Sequence, residues 1–261
     1  MSERIRWFKD ISKGDLEVAG GKGTNLGIMT QAGLPIPPGF VVTAQTYKEF
    51  IEKTGIKDKN LEIVNSIDIE DTAQLQGKAK EVQHLIETTK MPEEIKEEIK
   101  ENYSIISADR KSETEDIMEG KDVLVACRSS ATAEDLPEAS FAGQQATFLN
   151  VIGQDGCVEA VQKCWASLFT ARAIYYRAKN NFPTEQVYIA VVVQKMISSD
   201  KSGVMFSINP STNNDTEIMI EGAFGLGESV VSGAVSPDLY IVDKKSLKIK
   251  KIEVKEQKIK I

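Results

Sequence analysis

Cationic side chains beside glycines and small hydroxyls are the groups with which a protein grips phosphate, and this chain has the combination twice. Lys22 sits in GGKGTNLG, residues 20–27. The glycines read as a turn opening a helix, so that backbone N–H groups and a helix N-terminus face an anion. The segment is not a Walker A loop, because the position six before Lys22 is Leu16 where glycine is required, and Gly23 holds the Ser/Thr slot. Nor is it a dinucleotide fingerprint: the spacing differs, and no acidic residue closes an obvious βαβ unit about 20 residues later. An exposed turn lysine is the plain alternative. Arg128 follows the apolar run VLVAC and precedes SSATAEDLPEASFAGQQAT. At the end of a buried strand it must meet an anion or stay at the rim, since an unpaired buried guanidinium is costly. Glu134 and Asp135 are the nearest candidates for a structural ion pair. The segment after Arg128 is too small and polar to pack a core. It reads either as a solvated loop or as a loop over phosphates, in which Gly143 permits close backbone approach and the hydroxyls and amides donate.

A third segment, EGAFGLGESVVSGAVSPD, again follows a strand pattern, EIMIEG. Gly222, Gly225, Gly227 and Gly233 can be turn glycines only, yet three such loops beside two isolated cations point to a shared polyphosphate site. Glu221 and Glu228 flank this loop and either reach a cation or a ribose or are simply solvated; no metal ligand is assigned.

The elements that must position these residues are legible in outline. Strand patterns occur at DVLVAC, QATFLNV, VYIAVVVQKM, SGVMFSI, EIMIEG and DLYIVD. One long amphipathic helix is predicted over roughly residues 156–179, with Val158, Val161, Trp165, Leu168 and Phe169 as its buried stripe and Cys157 and Cys164 packed in the core. In TNLGIMTQA a helix shares Leu26, Met29 and Ala32 on one face before Gly33, then LPIPPGFVVT is extended by its prolines. Thr43 is the predicted N-cap of a helix through Tyr47, Phe50 and Ile51 to Gly55. Residues 57–120 are charged and helical in pattern, an insertion on a mixed scaffold, and contain the single histidine, His84, as an ordinary helix residue.

Composition excludes several classes. With 261 residues, 41% of them hydrophobic and 27% charged, the chain is long enough for a core and more than one lobe. A formal charge of −7 argues against nucleic acid as a partner. The lysine-rich end, LKIKKIEVKEQKIKI, reads as hairpin strands with one wet face, its apolar positions being Ile249, Ile252, Val254, Ile259 and Ile261. Three cysteines with no CxxC suggest a reducing compartment, and with no membrane span or signal region the expected address is the cytoplasm.

These segments, together with AGLPIPPGFVVTAQTY, CRSSATAEDLPEASFAGQQATFLNV and VVVQKMISSDKSGVMFSINP, resemble in order the N-terminal nucleotide-binding domain of the phosphoenolpyruvate synthase (pyruvate, water dikinase) family. They are also similar to rifampicin phosphotransferases and, more distantly, to pyruvate phosphate dikinases, where methionines replace Gln144 and Gln145. The resemblance implies an α+β, ATP-grasp-like fold, with residues 1–195 as a first lobe carrying the 57–120 insertion and 196–261 as a partial second lobe. It implies that Lys22 and Arg128 contact the ATP phosphates as catalytic cations, that Gly143, Gln144 and Thr147 belong to the loop over them, and that Gln194, Lys195 and Met196 line the adenine pocket. Glu221, Gly227 and Glu228 remain possible nucleotide contacts. The family converts pyruvate, ATP and water to phosphoenolpyruvate, AMP and phosphate through a phosphohistidine domain and a barrel, neither of whose motifs is found here. The expectation is therefore an ATP-binding fragment, inactive alone in the full reaction, with the C-terminal part of the second lobe missing and the Mg2+ ligands beyond Ile261. The alternatives are the same domain of a rifampicin phosphotransferase and a non-catalytic nucleotide-binding or regulatory module.

Overall fold

The computed structural model describes residues 3–108, 122–132 and 146–260. Helix and sheet are mixed in an α+β arrangement, and the chain divides into two compact units, Met1–Met196 and Ile197–Ile261. No described helix is long and apolar enough to cross a membrane.

The first unit is built on a sheet of β1 (Ile5–Trp7), β2 (Gly39–Val42), β3 (Val125–Ala131), β4 (Thr147–Val151) and β5 (Ile189–Lys195), hydrogen-bonded in the order β1-β2-β5-β3-β4 with every pair antiparallel. Side chains alternate between the faces of such a sheet. One face presents Phe40, Val42, Val125, Cys127, Val191 and Val193, all buried in the main core. That core also takes in the apolar stripes of α2 (Ala44–Lys53), α3 (Ile56–Asn65), α4 (Thr72–Thr88), α5 (Glu93–Ala108), α6 (Gln154–Ala166) and α7 (Ala171–Lys179). The opposite face presents Val41, Ala190 and Val192 to α1 (Leu16–Gln31), whose Ala19 completes a smaller core with Phe8 and Ile11.

Local signals account for most of these boundaries. The Thr43 hydroxyl caps α2, accepting the Thr46 N–H at 3.3 Å. From residue 57 the charged stretch is helical through Ala108, and His84 lies exposed on α4. The helix expected over 156–179 is in fact two. After Ala166 a short 3-10 turn runs to Phe169, Thr170 is extended, and its hydroxyl caps α7 by accepting the Ala173 N–H at 3.2 Å. The apolar stripe is continuous across the break, so periodicity alone does not reveal it; the signal is one threonine hydroxyl competing for a backbone N–H. Cys127, Cys157 and Cys164 are free and wholly buried. Contact with the Cys157 thiol, and then burial, push the Cys127 pKa well up, so this group stays a thiol.

The second unit is an antiparallel sheet of β6 (Lys201–Phe206), β7 (Glu217–Phe224), β8 (Asp238–Asp243) and β9 (Ile249–Glu253) in sequence order, with the short α8 (Glu228–Val231) between β7 and β8. The lysine-rich end supplies one strand, not a hairpin, and its apolar residues do not pack: Ile249, Ile252, Val254 and Ile259 are all exposed. Register explains where the strand's apolar side chains go. Ile252 stands opposite Tyr240, which stands opposite Ile220 and, through it, Met205, while Ile249 stands opposite Val242. Cross-strand partners share a face, so one face of the sheet is a continuous apolar row.

An ion-pair network ties the start of β1 to two helices. Arg4 forks onto Glu49 of α2 at 2.7 and 2.8 Å and reaches Glu98 of α5 at 3.2 Å. The hydrogen bonds from Arg4 hold the Glu49 pKa down from 4.5 to about 2. A lowered folded-state pKa contributes stability above pH 4.5 that is lost as the pH falls towards 2. Glu49→Gln is expected to lower the melting temperature at neutral pH and to flatten its fall across that acid window. The Glu49 side chain keeps about a quarter of its surface in solvent, and screening there holds the difference to about 1 kcal/mol; melts at a series of pH values check it.

Candidate functional site

The glycine segment opens a helix as expected, but a shorter helical stretch also runs into it, so that α1 is two helical stretches joined at Gly20. At Gly20 the backbone turns to φ 66°, ψ 175°, and the helix then resumes. Gly20 approaches Ser130 of β3 so closely that a Cβ would overlap the serine backbone and hydroxyl. Ser130 completes the turn: its Oγ accepts the Gly23 N–H at 3.2 Å and donates to the Ala19 carbonyl at 2.8 Å. An interrupted helix exposes such orphan backbone groups, and here a hydroxyl from a strand distant in sequence satisfies two of them. The side of α1 turned to the sheet is Ala19, Gly20, Gly21, Gly23, Thr24 and Gly27, whereas Ala32, expected to share a buried face with Leu26 and Met29, is exposed. The glycines thus bring the helix down on the sheet, and the Gly23 N–H is engaged within the protein. Lys22 is left half-buried between two buried glycines.

Arg128 is not at the end of its strand. It is the middle residue of β3, which begins at Val125 and continues through Ser129, Ser130 and Ala131, all buried. The sequence reading treats these serines as unable to pack a core; they do so because their hydroxyls are paired, Ser129 Oγ donating to the Ala146 carbonyl at 3.2 Å. Arg128 stands opposite Val192 on β5 and Thr147 on β4. It therefore shares with Thr147, Val192 and Ser130 the face that α1 covers. The turn of α1 that carries Lys22 is fastened to Ser130, two residues or about 7 Å along β3 from Arg128. Lys22 and Arg128 are accordingly on one side of the sheet. Arg128 is half-buried, and no acceptor among the described residues takes a hydrogen bond from its guanidinium. Glu134 and Asp135, and the loop residues Gly143 and Gln144, lie outside the described residues.

Gln194 and Lys195 end β5, and Met196 follows it. Gln194 faces the same side, opposite Ala126 and Gly39, and its amide donates to the Pro37 carbonyl at 3.2 Å. The Lys195 N–H donates to the Pro38 carbonyl at 3.0 Å and the Met196 N–H to the Leu124 carbonyl at 2.9 Å. The Met196 sulfur accepts the Asn150 N–H at 3.1 Å. Met196 lies four residues, about 14 Å, along β5 from the partner of Arg128.

In the second unit, Glu221 is half-buried on β7 between Val204 and Leu239, Gly227 immediately precedes α8, and Glu228 opens it. Among the described residues no group of three or more His, Cys, Asp or Glu is placed to hold a metal ion. Glu221 and Glu228 do not amount to a donor set for Mg2+, and no step is derived through that ion.

The residue that sequence reasoning missed is Ser130. Nothing in SSAT distinguishes a serine that caps a remote helix from one in a solvated loop. Ser130→Ala is expected to destabilise the chain by about 1–2 kcal/mol, the loss of a cap with two buried partners. Gly20→Ala is expected to cost more, because it adds overlap with Ser130 to a left-handed backbone conformation. Denaturant titration checks both values.

The family described as pyruvate phosphate dikinase, AMP/ATP-binding domain, matches residues 16–261. The chain is 50% identical over 260 residues to the probable phosphoenolpyruvate synthase of Methanothermobacter thermautotrophicus, covering 99% of this chain and 36% of that protein. It is 45% identical over 289 residues to the phosphoenolpyruvate synthase of Pyrococcus furiosus, covering 98% and 34% respectively. With the probable phosphoenolpyruvate synthase of Methanocaldococcus jannaschii the identity is 51% over 246 residues, covering 94% and 20%. The chain thus spans about a third or less of the length of these curated relatives.

Proposed function

The chain belongs to the pyruvate phosphate dikinase AMP/ATP-binding domain family, and from that premise we propose that it is the ATP-holding part of a phosphoenolpyruvate synthase. The observation that carries this reading is the fastening of α1 to Ser130, which sets Lys22 and Arg128 on one side of a sheet. In the proposed site these two cations neutralise the triphosphate. Phosphoryl transfer asks of a protein chiefly positioning and charge stabilisation. Thr147, opposite Arg128, continues the loop of Gly143 and Gln144 over the phosphates. Gln194 to Met196 meet the purine, about 14 Å away along β5. Both N–H groups of Lys195 and Met196 are engaged within the unit, so this segment offers the purine acceptors and the apolar flank of Met196. In the second unit, Glu221, Gly227 and Glu228 are proposed as nucleotide contacts.

The proposed architecture is ATP-grasp-like, with residues 1–195 as the first lobe, the helical insertion at 57–120, and 196–261 as part of the second. The apolar row Met205, Ile220, Tyr240, Ile252 supports the last assignment, because an apolar sheet face normally takes a covering layer. We assign that layer, and the Mg2+ ligands, to polypeptide following Ile261 in a parent protein. The parent, which we place in the cytoplasm, converts pyruvate, ATP and water to phosphoenolpyruvate, AMP and phosphate through further phosphohistidine and barrel domains. The relatives named above favour this parent over a rifampicin phosphotransferase.

Calorimetry with ATP tests the site. Lys22→Ala and Arg128→Ala are each expected to weaken binding about 10- to 100-fold, the range for a charge-assisted hydrogen bond to phosphate; unchanged affinity in both variants overturns the assignment. Mixing the chain with the remaining domains of the parent, supplied separately, is expected to restore AMP formation from pyruvate and ATP. A stable but inert complex would instead indicate a regulatory module. A chain extended past Ile261 is expected to bind a hydrophobic dye more weakly than this one, and equal dye binding counts against the missing layer.

A further inference from the structure

None of the residues assigned to the nucleotide lines the pocket beside the end of β1 and the start of β2. Its volume is about 480 Å³, the size of a small-molecule site. Trp7, Phe8, Ile36, Pro37, Pro38 and Ile105 form its apolar walls. Ile105 is 53% exposed, an apolar side chain of α5 left in water. The other walls are fixed by the fold. The Phe8 ring lies so close to Gly39, which also lines the pocket, that a Cβ there would overlap it. The Trp7 ring packs on Phe40 with centroids 5.8 Å apart. The carbonyls of Pro37 and Pro38 accept from the Gln194 amide at 3.2 Å and the Lys195 N–H at 3.0 Å. A pocket held open in this way costs a ligand little ordering of the protein.

The polar groups of this lining are mostly engaged inside the protein. The Trp7 indole N–H donates to Asn102 Oδ1 at 2.9 Å, and the Thr30 hydroxyl donates to the Leu26 carbonyl at 2.8 Å. The Lys9 carbonyl accepts from the Gln31 amide at 3.3 Å. Pro37 and Pro38 have no N–H to offer. The Lys9 ammonium is the exception. It lines the pocket, no carboxylate side chain does, and no carboxylate among the described residues pairs with it. An occupant therefore meets rings and aliphatic surface along its body and one positive charge. A neutral hydrocarbon leaves the ammonium unanswered. A polyphosphate brings more charge than one lysine balances, and stripping its water against apolar walls is costly. A flat apolar body ending in a single carboxylate matches both the rings and the charge.

We propose that this pocket binds a small arylalkyl monocarboxylate, its ring against Trp7, Phe8 and the two prolines and its carboxylate on Lys9. The test uses 3-phenylpropionate and tryptophan emission. Trp7 is in the wall, whereas Trp165, the other tryptophan, is fully buried in the main core and does not line the pocket. Titration is expected to change the emission saturably, with a dissociation constant of about 0.1–1 mM for a ligand of this size. The neutral 3-phenylpropanamide is expected to bind about 3- to 10-fold more weakly. Lys9→Ala is expected to weaken the acid by the same factor and to leave the amide unchanged, because it removes only the charge. Ile105→Glu, at an exposed position that the fold tolerates, sets a like charge beside the ligand and is expected to weaken the acid about 10-fold. Absence of a saturable change up to about 10 mM overturns the proposal. So does equal binding of acid and amide. Displacement of 3-phenylpropionate by ATP overturns it as well, because the pocket then belongs to the nucleotide.

Discussion

One serine hydroxyl fixes the arrangement on which everything else in the first unit depends. Ser130 Oγ closes the break in α1 by serving the Gly23 N–H and the Ala19 carbonyl together. Left unserved, these buried groups carry a desolvation penalty. The hydroxyl can reach both only because Gly20 takes a conformation open to glycine and presents no side chain to the strand. The consequence is positional. A helix that would otherwise sit on the sheet at ordinary side-chain spacing is drawn down at the point where Lys22 leaves it. A long cationic side chain starting this low can lay its apolar stem along the sheet and bring its charge to the level of Arg128.

The two faces of the same sheet solve different problems. The helical side is a deep aliphatic and aromatic core, where Trp165 stacks on Phe50 with centroids 4.9 Å apart and the cysteines fill small gaps. The α1 side buries only a few residues, Val41, Ala190 and Val192 among them, and then gives way to polar positions at Arg128, Thr147 and Gln194. A thin core beside a polar strip leaves donors on the face of a rigid sheet, where their geometry is set by backbone ladders and not by loops. Such preorganisation means that charge complementarity is not spent on ordering the protein.

What could be read from the sequence divides along the same physical line. Elements announced by periodicity or by a local cap were found: the strands of both sheets other than β1, the Thr43-capped helix, the charged helices after residue 57, and the buried stripe from Val158 to Phe169. Features set by partners distant in the chain were not. Ser129 and Ser130 look like loop residues until Ala146 and Ala19 are seen to accept from them, which is why β3 extends three residues past Arg128. The glycines of GGKGTNLG signal close approach, but only the fold says whether the neighbour is a ligand or a strand. Thr170 divides a continuous apolar stripe, and the alternation of the lysine-rich end predicts strand without saying whether a layer covers it. The cations at 22 and 128 were legible as a pair worth weighing because lone charges beside small residues are unusual; their common face was not.

Arg128 and Arg177 show how the same side chain can be set two different tasks. Arg128 is half-buried on a sheet face, where solvent can serve its donors. Arg177 is buried against the Phe169 ring, so its charge weighs on the folded state itself. The distinction follows from burial alone: a partly solvated cation keeps its water, whereas a buried one costs the fold its desolvation.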